Sequence, residues 1–327
     1  MASPRLAALK SLSPRPLENL LNVRRSLSPR TPENKSGNKL KIEHPKSAQR
    51  NRFSPFKVDT PNRAKILNDG LPDKEHDVLG SGCFGTVYKA SYRGDQVAAK
   101  IVRRRKCSDA AVDAERHAAF LRHSNIVRVL AIEQGAVWSM ITMELCGTSL
   151  QDRLDRTGLS RDERLATWRA IASALQFCHR AGIIHADVKP KNVLIGNDGQ
   201  PKLADFGSSV IVDEPHSLNF IFFFQGTPGY AAPEVIRGKS PSVYSDIYSL
   251  GVLAWQLLYR EAPFAGLHSH TILYLTGKGA RPVEHLLDDG FHGEYKSLYK
   301  KLWSESTNDR PTLTLILDKL DELKDCT

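Results

Sequence analysis

The chain has 327 residues, with 46 Lys+Arg against 36 Asp+Glu for a formal charge of +10; length alone predicts about two domains. Its five cysteines, Cys83, Cys107, Cys146, Cys178 and Cys326, form no C-x-x-C pair and no zinc spacing, which excludes a disulfide framework and a structural zinc site. There is no secretory h-region, and the longest apolar run, Ile247 to Leu258, is too short to cross a bilayer, so a reduced, cytoplasmic protein without a transmembrane segment is expected.

The positive charge is concentrated at one end. Residues 1–70 hold 15 Lys+Arg and 5 Asp+Glu, the whole net charge of the chain, which leaves the remainder close to neutral. This part is rich in Ser, Pro, Asn and Arg, has a single aromatic pair in Phe53 and Phe56, and shows no sustained period. It lacks the apolar area needed to offset chain entropy, so a disordered extension over residues 1–71 is predicted. Ser3, Ser13, Ser28, Thr31, Ser54 and Thr60 each precede a proline and present targets for proline-directed kinases. A basic tail also attracts nucleic acid and acidic membranes, although nucleic acid is not expected as the main partner.

Beyond the extension, Gly80-Ser-Gly82-Cys-Phe-Gly85-Thr-Val87 reads G-x-G-x-x-G-x-V. A dinucleotide fold requires a helix to open at the third glycine, whereas Thr86 to Tyr92 is rich in strand formers and turns at Arg93-Gly94-Asp95. A strand-turn-strand loop of this composition lets backbone N–H groups close over a triphosphate. No G-x-x-x-x-G-K-[ST] string occurs, which excludes a P-loop enzyme. The next strand carries Val97-Ala98-Ala99-Lys100. In the helix that follows, Ser108 is predicted as N-cap with Asp109 in the first turn, and Glu115 and Asp113 are the candidate carboxylates to hold the Lys100 ammonium. Trp138 to Gly147 reads as an apolar strand running into a glycine-containing connector. His185-Ala-Asp187-Val-Lys189-Pro-Lys-Asn192 follows, and thirteen residues after Asn192 stands Asp205-Phe-Gly207. These place two carboxylates and an amide where phosphoryl transfer needs them.

Together these motifs resemble those of the protein kinases. The resemblance implies an α+β, bilobal protein kinase fold, with a small β-rich N-lobe over 72–146 and a large, mainly helical C-lobe over 147–327. It implies ATP and Mg2+ as cofactors, with Gly80, Gly82, Gly85, Val87, Ala98, Lys100 and Glu115 on the nucleotide side, Glu115 rather than Asp113 because it stands eight residues before His123-Ser-Asn-Ile-Val127, the usual kinase spacing. The connector is then the hinge between lobes, where Met143 guards the adenine pocket and backbone groups of Glu144 and Cys146 bond the adenine edge. Asp187 orients the attacking hydroxyl, and Asn192 and Asp205 hold the metal. Lys189 with Thr227, in Gly226-Thr-Pro-Gly-Tyr230, is the pattern of serine/threonine kinases. Glu234 and Arg310 are expected as a buried pair closing the activation segment, and Asp246 as an acceptor for the catalytic-loop backbone.

Within that superfamily the chain resembles the Mos kinases over residues 77 to 322. The likeness rests on Val87 to Gly94, on Leu121 to Val129, on Ser245 to Ser249 followed by Trp255-Gln256, and on Ala262-Pro-Phe264. It also rests on Ala186, where most kinases place Arg beside the catalytic Asp. It implies a MAP kinase kinase as protein substrate, a role in oocyte meiotic maturation, and a monomer. A Raf-like kinase of another pathway position and a pseudokinase scaffold are the alternatives; the latter is disfavoured by intact Lys100, Glu115, Asp187, Asn192 and Asp205. The Leu218 to Phe224 stretch has no counterpart in the resemblance.

Overall fold

The computed structural model describes residues 56–59, 62–70, 77–82, 85–212, 226–285 and 290–325. The six Ser/Thr-Pro positions and the Phe220 to Phe224 stretch lie outside them.

A six-stranded sheet forms the small lobe. Its strands are β1 (Phe56–Lys57), β2 (Val78–Gly82), β3 (Gly85–Tyr92), β4 (Asp95–Arg103), β5 (Val129–Gln134) and β6 (Trp138–Glu144), in the order β1-β3-β4-β6-β5, with β2 beside β3. All pairings are antiparallel except β1 with β3. Helix α1 (Asn62–Asp69) follows β1, and α2 (Lys106–Ala118) follows β4. The larger lobe is mainly helical, with α3 (Leu150–Arg156), α4 (Arg161–Arg180), α5 (Pro233–Ile236), α6 (Val243–Tyr259), α7 (Ser269–Gly277), α8 (Gly290–Leu302) and α9 (Leu313–Asp325). Two small antiparallel ladders line its upper edge, β7 (Ile183–Ile184) with β10 (Val210–Ile211) and β8 (Val193–Ile195) with β9 (Pro201–Leu203).

Local chemistry accounts for the helix starts. Ser160 accepts from the Glu163 N–H while the Glu163 carboxylate accepts from the Ser160 N–H, a reciprocal cap that opens α4; Ser149 and Asp152 repeat it at α3. Helix α6 is apolar nearly all round, and Ile247, Tyr248, Leu250, Leu253 and Trp255 are buried along it, as a helix at the centre of a lobe requires. Around it stack Trp168 and Tyr295 at 4.8 Å and Tyr299 and Trp303 at 4.9 Å, both edge-on.

Two expectations are corrected. Ser108 does not cap α2: Arg105 stands at the N-cap, and Ser108, three residues on, accepts from the Arg105 N–H and donates to the Arg103 carbonyl. The extension is expected to be disordered to residue 71, yet residues 56–59 and 62–70 are folded against the small lobe, with Val58 and Ile66 buried. Residues 1–55 lie outside the description.

Candidate functional site

Pleating decides which side chains of β4 meet the cleft. Successive residues alternate between faces, and residues directly opposite on neighbouring strands share one. Lys100 pairs with Val87 on β3 and Ile141 on β6, and Ala98 pairs with Met143. Val87, Ala98, Lys100 and Met143 therefore share the face that looks toward α2. There the Lys100 ammonium lies 3.0 Å from Glu115 and 2.7 Å from Asp205. Asp113 instead pairs with Arg116 on the outer surface of α2. Burial works to lower the Lys100 ammonium, but the two carboxylates outweigh it and hold its pKa above the ordinary lysine range. Asp205 is held below the ordinary range because Lys100 outweighs the effect of its burial.

Gly85 opens β3 with φ of +135°, and a Cβ there would stand 2.4 Å from the Ile101 carbonyl oxygen, so only glycine fits. Gly80 and Gly82 lie on exposed β2, where an added Cβ meets nothing within 4 Å; the protein itself makes no demand for glycine at either. At the connector, the Glu144 N–H is donated to the Arg128 carbonyl, while the backbone N–H and C=O of Cys146 have no partner among the described residues. The Glu144 carboxylate turns away toward Lys202, 3.1 Å off, and the Arg128 N–H. Sequence reasoning missed Lys202, since nothing local marks a contact across 58 positions.

On the other side of the cleft, four side chains converge. Lys189 donates to Asp187 Oδ2 at 2.5 Å and to Thr227 Oγ1 at 2.7 Å, Thr227 donates to Asp187 Oδ1 at 2.7 Å, and Asn192 Nδ2 donates to Asp187 Oδ2 at 3.0 Å. Thr227 is thereby brought from 40 residues away to close a ring of hydrogen bonds with Asp187 and Lys189. Because Asn192 Nδ2 is committed to Asp187, its amide oxygen is the atom left for a cation. Together with the Asp205 carboxylate it makes a hard, all-oxygen donor pair, which suits a magnesium ion that takes its other ligands from water and phosphate.

The loop carrying Asp187 is anchored from below. Asp246, wholly buried, accepts from the His185 N–H at 2.8 Å and the Ala186 N–H at 2.9 Å, as expected; it also contacts His179 Nε2 at 2.8 Å, which was not foreseen. Ala186 and Asp205 both hold left-handed backbone, φ +63° and +62°, a conformation costly for residues other than glycine and common at functional sites. The His185 ring packs edge-on against Phe206 at 4.8 Å, locking Asp205-Phe-Gly207 to the loop. The expected Glu234–Arg310 pair is present as a two-pronged bond of 2.6 and 2.9 Å, both residues buried.

Residues 74–320 match the protein kinase domain family. A serine/threonine-protein kinase mos from Patiria pectinifera is 38% identical over 264 residues, covering 76% of this chain and 75% of the relative. A serine/threonine-protein kinase mos from Xenopus laevis is 31% identical over 265 residues, covering 75% and 74%. Mitogen-activated protein kinase kinase kinase 13-A from Xenopus laevis is 34% identical over 247 residues, which is 74% of this chain and 24% of that protein.

Proposed function

The chain belongs to the protein kinase family, among its Mos-type serine/threonine kinases, and from that premise we propose how its residues divide the transfer of phosphate from ATP to a protein hydroxyl. The observation that carries the reading is the hydrogen-bonded group of Asp187, Lys189, Thr227 and Asn192 in the larger lobe, together with Lys100 and Glu115 of the small lobe and Asp205, which Lys100 contacts from across the cleft. Asp187 orients the substrate hydroxyl and receives its proton as the oxygen bonds to the γ-phosphorus and the bond from that phosphorus to the ADP oxygen breaks. Lys189 supplies a cation to the γ-phosphate, and Thr227 fixes Lys189 relative to Asp187. Lys100, steadied by Glu115, holds the α- and β-phosphates. Val87, Ala98 and Met143 line the adenine pocket, and the unpartnered Cys146 backbone with the Glu144 carbonyl bonds its edge. Gly80, Gly82 and Gly85 leave room for the phosphates. Bound through Asn192 and Asp205, Mg2+ would neutralise phosphate charge.

The substrate we propose is a MAP kinase kinase, phosphorylated on Ser or Thr of its activation segment, in the cytoplasm of maturing oocytes. Support comes from the two relatives named mos and the one named as a MAP kinase kinase kinase. No helix among the described residues is long and apolar enough to cross a membrane. Incubating the chain with a catalytically dead MAP kinase kinase and mapping the sites is expected to place phosphate on that segment. Its absence, while a generic protein is labelled, would refute the substrate and leave the kinase standing.

Ala186 carries a second expectation. An Arg at this position would grip a phosphate on the activation segment. Here the cavity under the loop is lined by Ala186, Ala231, Ala232, Val235, Pro241 and two serines, with no cation. The triple variant Ser208→Ala, Ser209→Ala, Ser217→Ala is therefore expected to keep most of the rate in a kinase assay; a fall to background would show that activation-segment phosphate is needed after all. Ser217 lies outside the described residues.

A further inference from the structure

Behind the nucleotide face of the sheet lies a segment to which the catalytic reading assigns nothing. Strand β1 adds in parallel to the end of β3 that β2 leaves free, at Ala90 and Ser91, and the Val58 N–H extends the ladder to the Ser91 carbonyl at 2.9 Å. Helix α1 then crosses the sheet. Val58 and Ile66 pack with Val97, Ala99, Ile101 and Met140, the residues of β4 and β6 that point away from Lys100.

The segment is pinned at both far turns of the sheet. At the β3–β4 turn, Asp59 accepts from the Arg93 N–H at 2.9 Å, and the Arg63 guanidinium lies 4.8 Å over the Tyr92 ring. At the β5–β6 turn, Gly135 abuts Leu67 so closely that an added Cβ would stand 2.4 Å from the Leu67 carbonyl oxygen. Arg63, 6% exposed, ties the parts together: it donates to the Val58 carbonyl at 3.2 Å and pairs with Glu133 of β5.

We propose that Arg63 is a positioning residue, and that the segment it anchors, residues 56–59 and 62–70, holds β4 and β6 from behind so that Ala98, Lys100 and Met143 meet ATP in register. The physical link is that a strand is one residue thick. Ala99 and Ile101 are gripped by the segment, Ala98 and Lys100 serve the cleft, and a shift of one face shifts the other. Close packing transmits such a displacement rather than absorbing it. The proposal rests on the kinase reading above, and the test separates the two.

In the full-length chain, Arg63→Ala and Gly135→Ala are expected to raise the KM for ATP roughly ten-fold with kcat per folded molecule within about two-fold, because ill-placed binding groups weaken ATP binding while Asp187 and its partners are untouched. Arg63→Lys, which keeps the charge facing Glu133, is expected to recover part of the shift. A merely structural role would lower the folded fraction, read by circular dichroism, and the maximal rate per total protein with it, at constant KM. An unchanged KM for ATP in both variants, or losses confined to the folded fraction, overturns the proposal. Should Arg63→Ala fail to fold, Gly135→Ala and Arg63→Lys carry the same comparison. A parental chain without ATP-dependent transfer would overturn the kinase reading and this inference together, whereas an active parent with unmoved variants sinks the inference alone.

Discussion

Replacing Asp187 by Asn, Lys100 by Met or Asp205 by Asn is expected to reduce phosphate transfer at least ~10²-fold in each case, with the fold retained. Asn at 187 keeps an oxygen for Thr227 but loses the charge and the proton acceptor, and sets an amide N–H2 against the donors of Lys189 or Asn192. Met at 100 removes the cation next to Glu115. Burial already raises the Glu115 pKa, so once Lys100 is gone this carboxyl takes up a proton instead of remaining an unpaired buried charge. That is why the fold is expected to survive. Initial rates on a generic protein substrate, beside far-ultraviolet circular dichroism, provide the check; a rate equal to the parent in any of the three removes that residue from the mechanism.

The second large effect is on stability. Arg310 has a fully buried side chain that donates to both Glu234 oxygens, to the Tyr244 carbonyl and to the Ser304 carbonyl, with its guanidinium 5.1 Å over the Tyr248 ring. Glu234→Ala leaves that cation in the interior with no anion, at a cost of about 3–5 kcal/mol, a large share of the ~5–15 kcal/mol that hold an ordinary domain folded. Urea unfolding should show the midpoint fall accordingly. The double variant Glu234→Ala, Arg310→Met should be less destabilised than the sum of the singles, since it removes the stranded charge. A single-variant loss below about 1 kcal/mol would mean that water reaches Arg310 and that the pair does not close the activation segment.

Much of the site was legible because its chemistry depends on fixed side chains at short spacings. Asp187, Lys189 and Asn192 lie within six positions, and Lys100 stands on a strand whose next helix offers a partner carboxylate. Glu115 rather than Asp113 was legible only through the kinase-like spacing to His123, and the helix shows the outcome, since two positions along a helix point to different faces. The illegible parts depend on surfaces the local chain does not contain. Among the described residues of 56–59 and 62–70, Val58, Ile66 and Leu67 enter that core; the sheet supplies the rest, so the segment's own composition does not reveal it. Ser108 misled for a related reason. Ser followed by Asp looks like a helix start, but the Arg103 carbonyl, placed by β4, drew the hydroxyl one turn inward.

Asp246 has a kinematic consequence. The loop bearing Asp187 is bolted through His185 and Ala186 to α6, the most deeply buried helix of the larger lobe, whereas Lys100 and the glycine strands belong to the sheet and join that lobe through the connector around residues 145–147. Any hinge-like opening of the cleft therefore leaves Asp187 stationary and carries Lys100. Asp187 is the stator and Lys100 rides on the moving part. The Lys100–Asp205 and Lys202–Glu144 contacts join the sheet to the larger lobe and are bonds that such an opening loads.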